Sequence, residues 1–168
     1  MLNILIQETD LFFQAGLQSF FDDFFKHNFH RSITFHLALT NENVSQADII
    51  VLSLCQGETL TCFPELLARQ KGIVIGLVDD ELRFSALPSC FQDIIFLPRR
   101  ASLDRISGVL FIAWFRTQLP GYTLNKKTCF DCQHKGLSRQ QIRIMVNFYR
   151  GLSVVQTANA LKMSEKTV

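Results

Sequence analysis

Two cysteines and a histidine, in the order Cys129-x-x-Cys132-x-His134, have the types and spacing of half a zinc site or of a redox pair. A structural zinc ion needs four ligands. The other histidines of the chain lie far from this segment, near the opposite end of the sequence: His27, His30 and His36. We therefore interpret the two cysteines as surface thiols of a polar segment, and we expect neither a metal ion nor a cofactor.

Acidic and hydroxyl side chains offer a second kind of chemistry. Asp79, Asp80 and Glu81 follow one another, and carboxylates can act as general acids, as bases or as metal ligands. Three adjacent acids after an apolar run are typical of a solvated turn, so we assign them no catalytic role. Ser53 lies in another apolar run, and a serine hydroxyl without an adjacent base is a weak nucleophile. We interpret it as a packed strand residue and predict no enzymatic activity.

Charge divides the 168 residues into two unequal parts. Residues 1–120 carry nine Lys and Arg against thirteen Asp and Glu, a net charge of −4, whereas residues 121–168 carry eight against two, a net charge of +6. A small basic part behind a larger acidic one is typical of a nucleic-acid reader joined to a regulatory or interaction domain.

The composition excludes disordered and membrane-spanning classes. Hydrophobic residues make up 48% of the chain and charged residues 19%, so a sizeable core can form. The longest apolar runs, such as 49–55 and 109–115, are shorter than the roughly 20 residues of a membrane helix. No basic and apolar leader begins the sequence. We expect a cytoplasmic protein.

Apolar runs alternate with helical periodicity over residues 1–118. Continuous apolar runs are typical of parallel strands covered on both faces. Five strands are predicted, at Leu2–Ile6, Ser32–Leu39, Ala47–Leu54, Ile73–Val78 and Ile94–Leu97. Helices are predicted over Leu11–Phe25 with Asp10 as its cap, over Phe63–Gln70, over Leu82–Phe91, where Pro88 weakens the pattern, and over Ser102–Arg116. The alternation predicts an α/β domain with a doubly wound, five-stranded parallel sheet.

Two helix-start signals follow a segment without periodicity. Residues 119–136 are polar and basic and are interpreted as a linker. Ser138-x-x-Gln141 and Ser153-x-x-Gln156 are capping boxes, in which the serine and the glutamine side chains each cap the other's backbone amide. Each box predicts that a helix begins there.

A turn and a third helix complete the pattern. Gly151 is placed to end the first of these helices, and Glu165 begins a third. Only the first turn of that third helix is present when the sequence reaches Val168. We therefore expect residues 137–168 to be a small all-α helix-turn-helix domain that is truncated in its recognition helix.

Residues 137–168 resemble the DNA-binding domain of LuxR-type (NarL/FixJ-like) regulators. The matching residues are Leu137-Ser138-Arg139-Gln140-Gln141-Ile142, then Gly151-Leu152-Ser153, then Ala158, Leu161, Ser164, Thr167 and Val168. Gln141 replaces a usual Glu, and Thr157-Ala158 replaces Ile-Ala. The resemblance implies DNA contacts through Lys162, Ser164, Lys166 and Thr167, with extra charge from Lys126, Lys127 and Lys135 of the linker. Because the family's base-reading residues lie mostly beyond Val168, we expect weak, non-specific DNA binding from this form.

Residues 1–118 resemble the receiver domain of response regulators, through Ile4-Leu5-Ile6, Ala15-Gly16-Leu17, Asp48-Ile49-Ile50-Val51-Leu52 and Ala101-Ser102. Receivers accept a phosphoryl group on an aspartate, helped by two acids that hold Mg²⁺, by a Thr or Ser, and by a Lys. The corresponding residues here, in that order of function, are Ser53 for the aspartate, Gln7 and Glu8 for the acids, Leu77 for the Thr and Arg99 for the Lys. The resemblance implies a degenerate receiver that is not phosphorylated.

Together the two resemblances imply a bacterial transcriptional regulator that acts independently of aspartyl phosphorylation. The first and last helices of such receivers commonly form dimer surfaces, which makes five residues candidates for an interface: Phe12, Phe20, Phe24, Leu110 and Trp114. The partner is expected to be a second copy or an orthodox response regulator, which this chain would serve as an auxiliary subunit.

Two alternatives remain open. Trp114-Phe115-Arg116-Thr117 stands where one subgroup of the family has a W-[FLM]-[TS]-R motif that binds cyclic di-GMP, although Arg and Thr are exchanged here. A regulator that responds to this second messenger is therefore one alternative, and titration with cyclic di-GMP tests it. The other is a protein-interaction module that modulates a partner regulator without binding DNA.

Overall fold

The computed structural model describes residues 1–55, 57–79, 89–91, 93–124 and 137–168. Five strands form one parallel sheet in the order β2-β1-β3-β4-β5. They are β1 Leu2–Gln7, β2 Ile33–His36, β3 Ile49–Leu54, β4 Ile73–Val78 and β5 Ile95–Pro98. This order is that of flavodoxin-like doubly wound sheets, so the predicted fold class is confirmed.

Helices cover both faces of the sheet. The α-helices are α1 Leu11–Phe29, α2 Asn41–Gln46, α3 Leu103–Thr117, α4 Arg139–Tyr149 and α5 Val154–Leu161. Short 3-10 helices are formed by Glu58–Leu60, Pro64–Ala68 and Ser89–Phe91. Helices α1 and α3 pack on one face of the sheet, whereas α2 and the 3-10 helix Pro64–Ala68 pack on the other. None of the described helices combines the length and the hydropathy needed to cross a bilayer.

Alternating residues of the central strands build two separate cores. In β3, Ile49 and Val51 belong to the core under α1 and α3, whereas Ile50 and Leu52 belong to the core on the opposite face. All four are buried. A strand that is buried on both faces has apolar residues at every position, which explains why continuous apolar runs predicted these strands.

Helix α1 begins where the sequence predicts and ends one turn later. The Asp10 carboxylate accepts hydrogen bonds from the backbone amides of Phe12 and Phe13, at 3.0 and 3.1 Å, as expected for an N-cap. The helix continues to Phe29 and ends at His30, whose backbone is left-handed (φ 52°). The predicted end at Phe25 was too early because Phe25 and Phe29 both pack against α3, through Trp114.

Two predictions for the other face of the sheet were incomplete. Phe63–Gln70 is not an α-helix, because Pro64–Ala68 closes 3-10 bonds such as Arg69 N–H to the Leu66 carbonyl oxygen. The short helix α2 was not predicted, although Thr40 caps it. The predicted helix over Leu82–Phe91, with Pro88, lies mostly outside the described residues.

The C-terminal helices follow their capping signals. Both capping boxes are formed, at Ser138 and at Ser153, and each serine hydroxyl accepts a hydrogen bond from the third backbone amide of its helix. Gly151, with φ 82°, ends the turn after α4 in the left-handed region that glycine adopts without strain. We refer to α4 and α5 as the helical pair. After Ser164 the chain closes a single turn, from Thr167 N–H to the Ser164 carbonyl oxygen, at the place where the sequence predicts the first turn of a third helix.

Three of the five proposed interface residues lie in the core. Phe24, Leu110 and Trp114 are buried, and the Trp114 ring lies edge-on to Phe25 with centroids 5.3 Å apart. The assignment of these three to a dimer surface was wrong, because α1 and α3 cover the same sheet face and bury the apolar residues between them. Phe20 is half-buried and packs on the same core, while Phe12 is 93% exposed.

Candidate functional site

The carboxyl ends of β1 and β3 bring Glu8 and Ser53 together. These strands are neighbours in the sheet, with Gln7 paired to Leu52, so the residues that follow in each strand meet at one edge. The Ser53 hydroxyl donates a hydrogen bond of 2.5 Å to Oε2 of Glu8. A small cavity of about 50 Å³ lies here, which we call the strand-end pocket; its lining includes Gln7, Glu8, Ser53, Asp79 and Arg99.

The Glu8 carboxylate is buried and fully engaged. Its side chain is 2% exposed. Oε1 accepts hydrogen bonds from the backbone amides of Thr9 and Asp10, at 2.8 and 2.9 Å, and Oε2 accepts one from Nη1 of Arg99, at 2.7 Å. The Arg99 guanidinium also lies 4.1 Å above the ring of Phe13. A positive charge supplied by the chain itself therefore balances the one acid retained at this position.

Five residues were predicted to correspond to the phosphorylation site of receivers, and four of them lie together. Gln7, Glu8, Ser53 and Arg99 line the strand-end pocket, but Leu77 is 2% exposed and belongs to the core under α1 and α3. The placement of Leu77 in this site was wrong because Leu77 lies inside β4, before the strand ends, and its side chain packs in the core under α1 and α3. The residue that follows β4, Asp79, lines the strand-end pocket instead. The other two acids of its cluster, Asp80 and Glu81, lie outside the described residues.

This arrangement does not present the oxygens that Mg²⁺ prefers. Mg²⁺ takes octahedral oxygen ligands, commonly one or two carboxylates plus waters. Here the Glu8 carboxylate is bonded to Arg99 and Ser53. In the part of the chain that the structure describes, no three His, Cys, Asp or Glu side chains are grouped to hold a metal ion. The Cys129, Cys132 and His134 motif lies outside the described residues.

We expect no phosphoryl transfer to this site. Incubation with acetyl phosphate and Mg²⁺, followed by intact-mass measurement, should leave the mass unchanged, because phosphoryl transfer depends on positioned metal and charge that the Glu8–Arg99 pair replaces. Beryllofluoride with Mg²⁺ should likewise leave the tryptophan fluorescence unchanged. A stoichiometric, Mg²⁺-dependent mass increase would contradict the expectation.

Helix α4 lies against the same edge of the sheet. Arg143 Nε donates a 2.6 Å hydrogen bond to Oε1 of Glu58, whose side chain is 1% exposed. Oε2 of Glu58 accepts a second bond, of 2.8 Å, from the Cys55 backbone amide. Burial, and then the Glu58 carboxylate, raise the pKa of the Cys55 thiol above its usual value.

A second ion pair lies one helical turn earlier. Arg139 Nη2 donates to Oε1 of Glu65 at 2.6 Å, and its guanidinium lies 4.3 Å from the centre of the Phe63 ring. Arg139 and Arg143 are four residues apart and so share one face of α4. The sequence interpretation missed these contacts. The available signal was the pair of acids after β3, seven residues apart, matching two arginines on one helix face.

The predicted DNA-contacting residues lie at the end of α5 and beyond it. Lys162 is the left-handed C-cap of α5, with φ 53°. Ser164 and Thr167 share a hydroxyl hydrogen bond of 2.8 Å, and Lys166 lies between them. All four side chains are exposed. The linker lysines Lys126, Lys127 and Lys135 lie outside the described residues.

The chain is similar to several solved structures at low sequence identity. No protein-family model and no curated protein matches the sequence. The chain is similar to the N-terminal domain of a response regulator/sensory box/GGDEF 3-domain protein from Carboxydothermus hydrogenoformans, at 16% identity and a TM-score of 0.47, over 67% of this chain and 94% of that one. It is similar to the Salmonella typhimurium RcsB response regulator at 14% identity and a TM-score of 0.43, over 99% of this chain and 85% of that one.

A third solved structure is response regulator ChrA of a heme-sensing two-component system. The identity is 20% and the TM-score 0.39, over 98% of this chain and 83% of that one. The fold assignment itself rests on the strand order and on the parallel pairing of all five strands.

Proposed function

We propose that this chain is a DNA-binding transcriptional regulator of the LuxR type whose receiver-like part acts without aspartyl phosphorylation. The observation that carries the proposal is the Glu8–Arg99 ion pair, which stands at the strand ends of a receiver-type sheet beside a helical pair. In this arrangement the switch is partner binding rather than phosphate. Residues 1–118, 119–136 and 137–168 are the proposed receiver-like domain, linker and DNA-binding domain.

The helical pair supports the DNA-binding role. Helices α4 and α5 are joined by a short turn that contains Gly151, as in helix-turn-helix units, and they contact one another. Thr157 and Ala158 of α5 are buried. Lys162 and Lys166 are exposed at its free end. Lysines at such a position bind phosphates, which gives affinity without sequence preference.

Gel-shift titration on random duplex DNA tests this role. We expect weak binding whose affinity falls steeply with salt, with a slope of log K against log salt of about −0.9 for each phosphate contacted. The double substitution Lys162→Glu and Lys166→Glu should abolish the shift. A matched control, Lys26→Glu with Arg31→Glu, changes two exposed cations at the end of α1 and should bind DNA as the unchanged chain does.

Two results would contradict the DNA-binding role. One is the absence of any shift at low salt with a folded protein, which would favour the protein-interaction module instead. The other is an equal loss of binding in the control pair, which would show that general charge, and not the end of α5, binds the duplex.

Self-association is proposed through the exposed face of α3, which we call the α3 face. It carries Phe111, Ile112 and Phe115, each about half exposed, within one stripe of the helix. Asp104 and Arg116 lie at opposite ends of this stripe. In an antiparallel dimer, Asp104 of each copy would therefore lie near Arg116 of the other copy. The second copy would also cover the aromatic rings. A response regulator with a similar face would make the corresponding heterodimer.

The substitution Phe115→Asp is expected to halve the mass measured by light scattering while leaving the circular dichroism spectrum unchanged. A charge placed among the half-exposed rings would remain unpaired in the dimer, and it would be solvated in the monomer. Leu67→Asp, at a similarly half-exposed position on the 3-10 helix of the opposite sheet face, is the matched control and should leave the mass unchanged. Monomers from Phe12→Asp but not from Phe115→Asp would place the interface on α1.

The cyclic di-GMP alternative has no support in the geometry. Trp114 is buried against Phe25, while Phe115 and Arg116 are exposed, so the three side chains do not form one binding surface.

A further inference from the structure

Three cavities meet where helix α4 covers the ends of β1 and β3. The strand-end pocket is the smallest, and its neighbours have volumes of about 280 and 540 Å³. Arg143 lines all three. Thr9 and Cys55 line both the strand-end pocket and the largest of them. We call the two larger cavities the cationic cleft, which is contiguous with the strand-end pocket through these shared residues.

The cleft occupies the point at which the winding of the sheet reverses. From β1 the chain passes to β2 on one side, and from β3 it passes to β4 on the other, so a crevice opens between the ends of β1 and β3. Open α/β sheets bind their ligands in this crevice, outside the carboxyl ends of the strands. In this chain the helical pair forms its outer wall, with α4 and the end of α5.

The cleft carries an excess of positive charge. Four cations line it, and among the described residues no acid lines either of its two cavities: the cations are Arg139, Arg143, Arg150 and Lys162. Glu65 and Glu58 neutralise the first two from outside the cleft. Within the described part of the chain, Arg150 and Lys162 take part in no ion pair. Both therefore remain available to an anion.

The remaining lining suits a small molecule. Asn147, Gln140 and Thr9 supply hydrogen-bonding groups, whereas Val146, Leu161 and Met163 supply apolar walls. The larger cavity lies within the range of about 300 to 1,000 Å³ that is usual for ligand pockets. Mixed walls of this kind, with a few polar groups, bind molecules that have an apolar body and a charged end.

We propose that the cationic cleft binds a small molecule that carries two or more phosphate groups, such as a nucleoside di- or triphosphate. Guanidinium groups match phosphate oxygens in pairs, and an ammonium group adds a point charge. Arg150 comes from the end of α4 and Lys162 from the end of α5, so the two cations can contact two different phosphates. The ligand would touch both the sheet edge and the helical pair. Lys162 also belongs to the proposed DNA-contacting residues, whereas Arg150 does not, so Arg150 distinguishes this site from the DNA surface.

Calorimetric titration of the full chain with ATP, and separately with inorganic pyrophosphate, tests the proposal. We expect saturable binding, together with a rise in the thermal unfolding temperature. The double substitution Arg150→Gln and Lys162→Gln should weaken binding about tenfold or more, since each charged hydrogen bond is lost. Arg100→Gln with Arg105→Gln changes two exposed cations at the start of α3 and should bind with unchanged affinity.

Three results would overturn the proposal. The first is the absence of saturable binding for both probes at millimolar concentration, and the second is equal weakening in the α3 control. The third concerns the phosphates of DNA. If Arg150→Gln weakens the binding of a short duplex as much as the binding of ATP, Arg150 belongs to a DNA-backbone surface and the proposal fails. Weaker ATP binding by Arg150→Gln, with duplex binding unchanged, supports the small-molecule site.

Discussion

Replacing Phe25 by alanine is expected to lower the free energy of unfolding by about 3–5 kcal/mol, which is the usual cost of removing a large aromatic side chain from a core. Phe25 is fully buried. Its ring lies 5.1 Å from Phe24, 5.5 Å from Phe29 and 5.3 Å from Trp114, centre to centre, so it joins α1 to α3. Urea denaturation followed by Trp114 fluorescence measures the loss directly.

Phe12→Ala is the control for Phe25→Ala. It removes the same side chain from the same helix, but Phe12 is 93% exposed, so its loss should change stability by no more than about 0.5 kcal/mol. Similar losses for the two variants would contradict the packing of α1 on α3.

Arg99→Ala is expected to destabilise the chain by about 3–5 kcal/mol, because it leaves the Glu8 carboxylate buried without its counter-charge. The Glu8 side chain is 2% exposed, against 25% for that of Arg99. The substitution also removes the guanidinium from the Phe13 ring. Thermal unfolding with calorimetric detection measures the effect.

A second substitution separates the destabilisation caused by the unpaired charge from that caused by lost packing. Adding Glu8→Gln to Arg99→Ala removes the unpaired charge, so the double variant should be more stable than Arg99→Ala alone. Arg100→Ala, at the exposed neighbouring position, should leave stability unchanged within about 0.5 kcal/mol. A double variant that is less stable than Arg99→Ala would show that Glu8 does not carry a buried charge.

Local signals predicted where the helices α1, α4 and α5 begin. Asp10 and Ser138 cap the helices that they precede, because a capping side chain bonds to amides two or three residues away. Continuous apolar runs predicted the strands for a similar reason, since burial on both faces leaves no polar position. The alternation of strands and helices predicted a doubly wound parallel sheet, whereas the order of its strands came from the structure.

Contacts between distant residues were missed, because a single position does not indicate its partner. Glu58 and Arg143 are 85 residues apart, and neither residue alone indicates the other. The exposed face of α3 was misjudged for a related reason. Periodicity marked Leu110 and Trp114 as apolar, but an amphipathic helix turns its main apolar stripe to its own core. The residues left for a partner are those beside that stripe, Phe111, Ile112 and Phe115.

The ion pairs of α4 also set an order of events during synthesis. The sheet and its helices leave the ribosome before α4 does, and domains begin to fold in that order. Until Arg139 and Arg143 have been translated, Glu58 and Glu65 have no counter-charge from α4. Before that point these two carboxylates of the nascent α/β part are expected to stay hydrated, and the edge beside β3 closes only once the residues of α4 have been added.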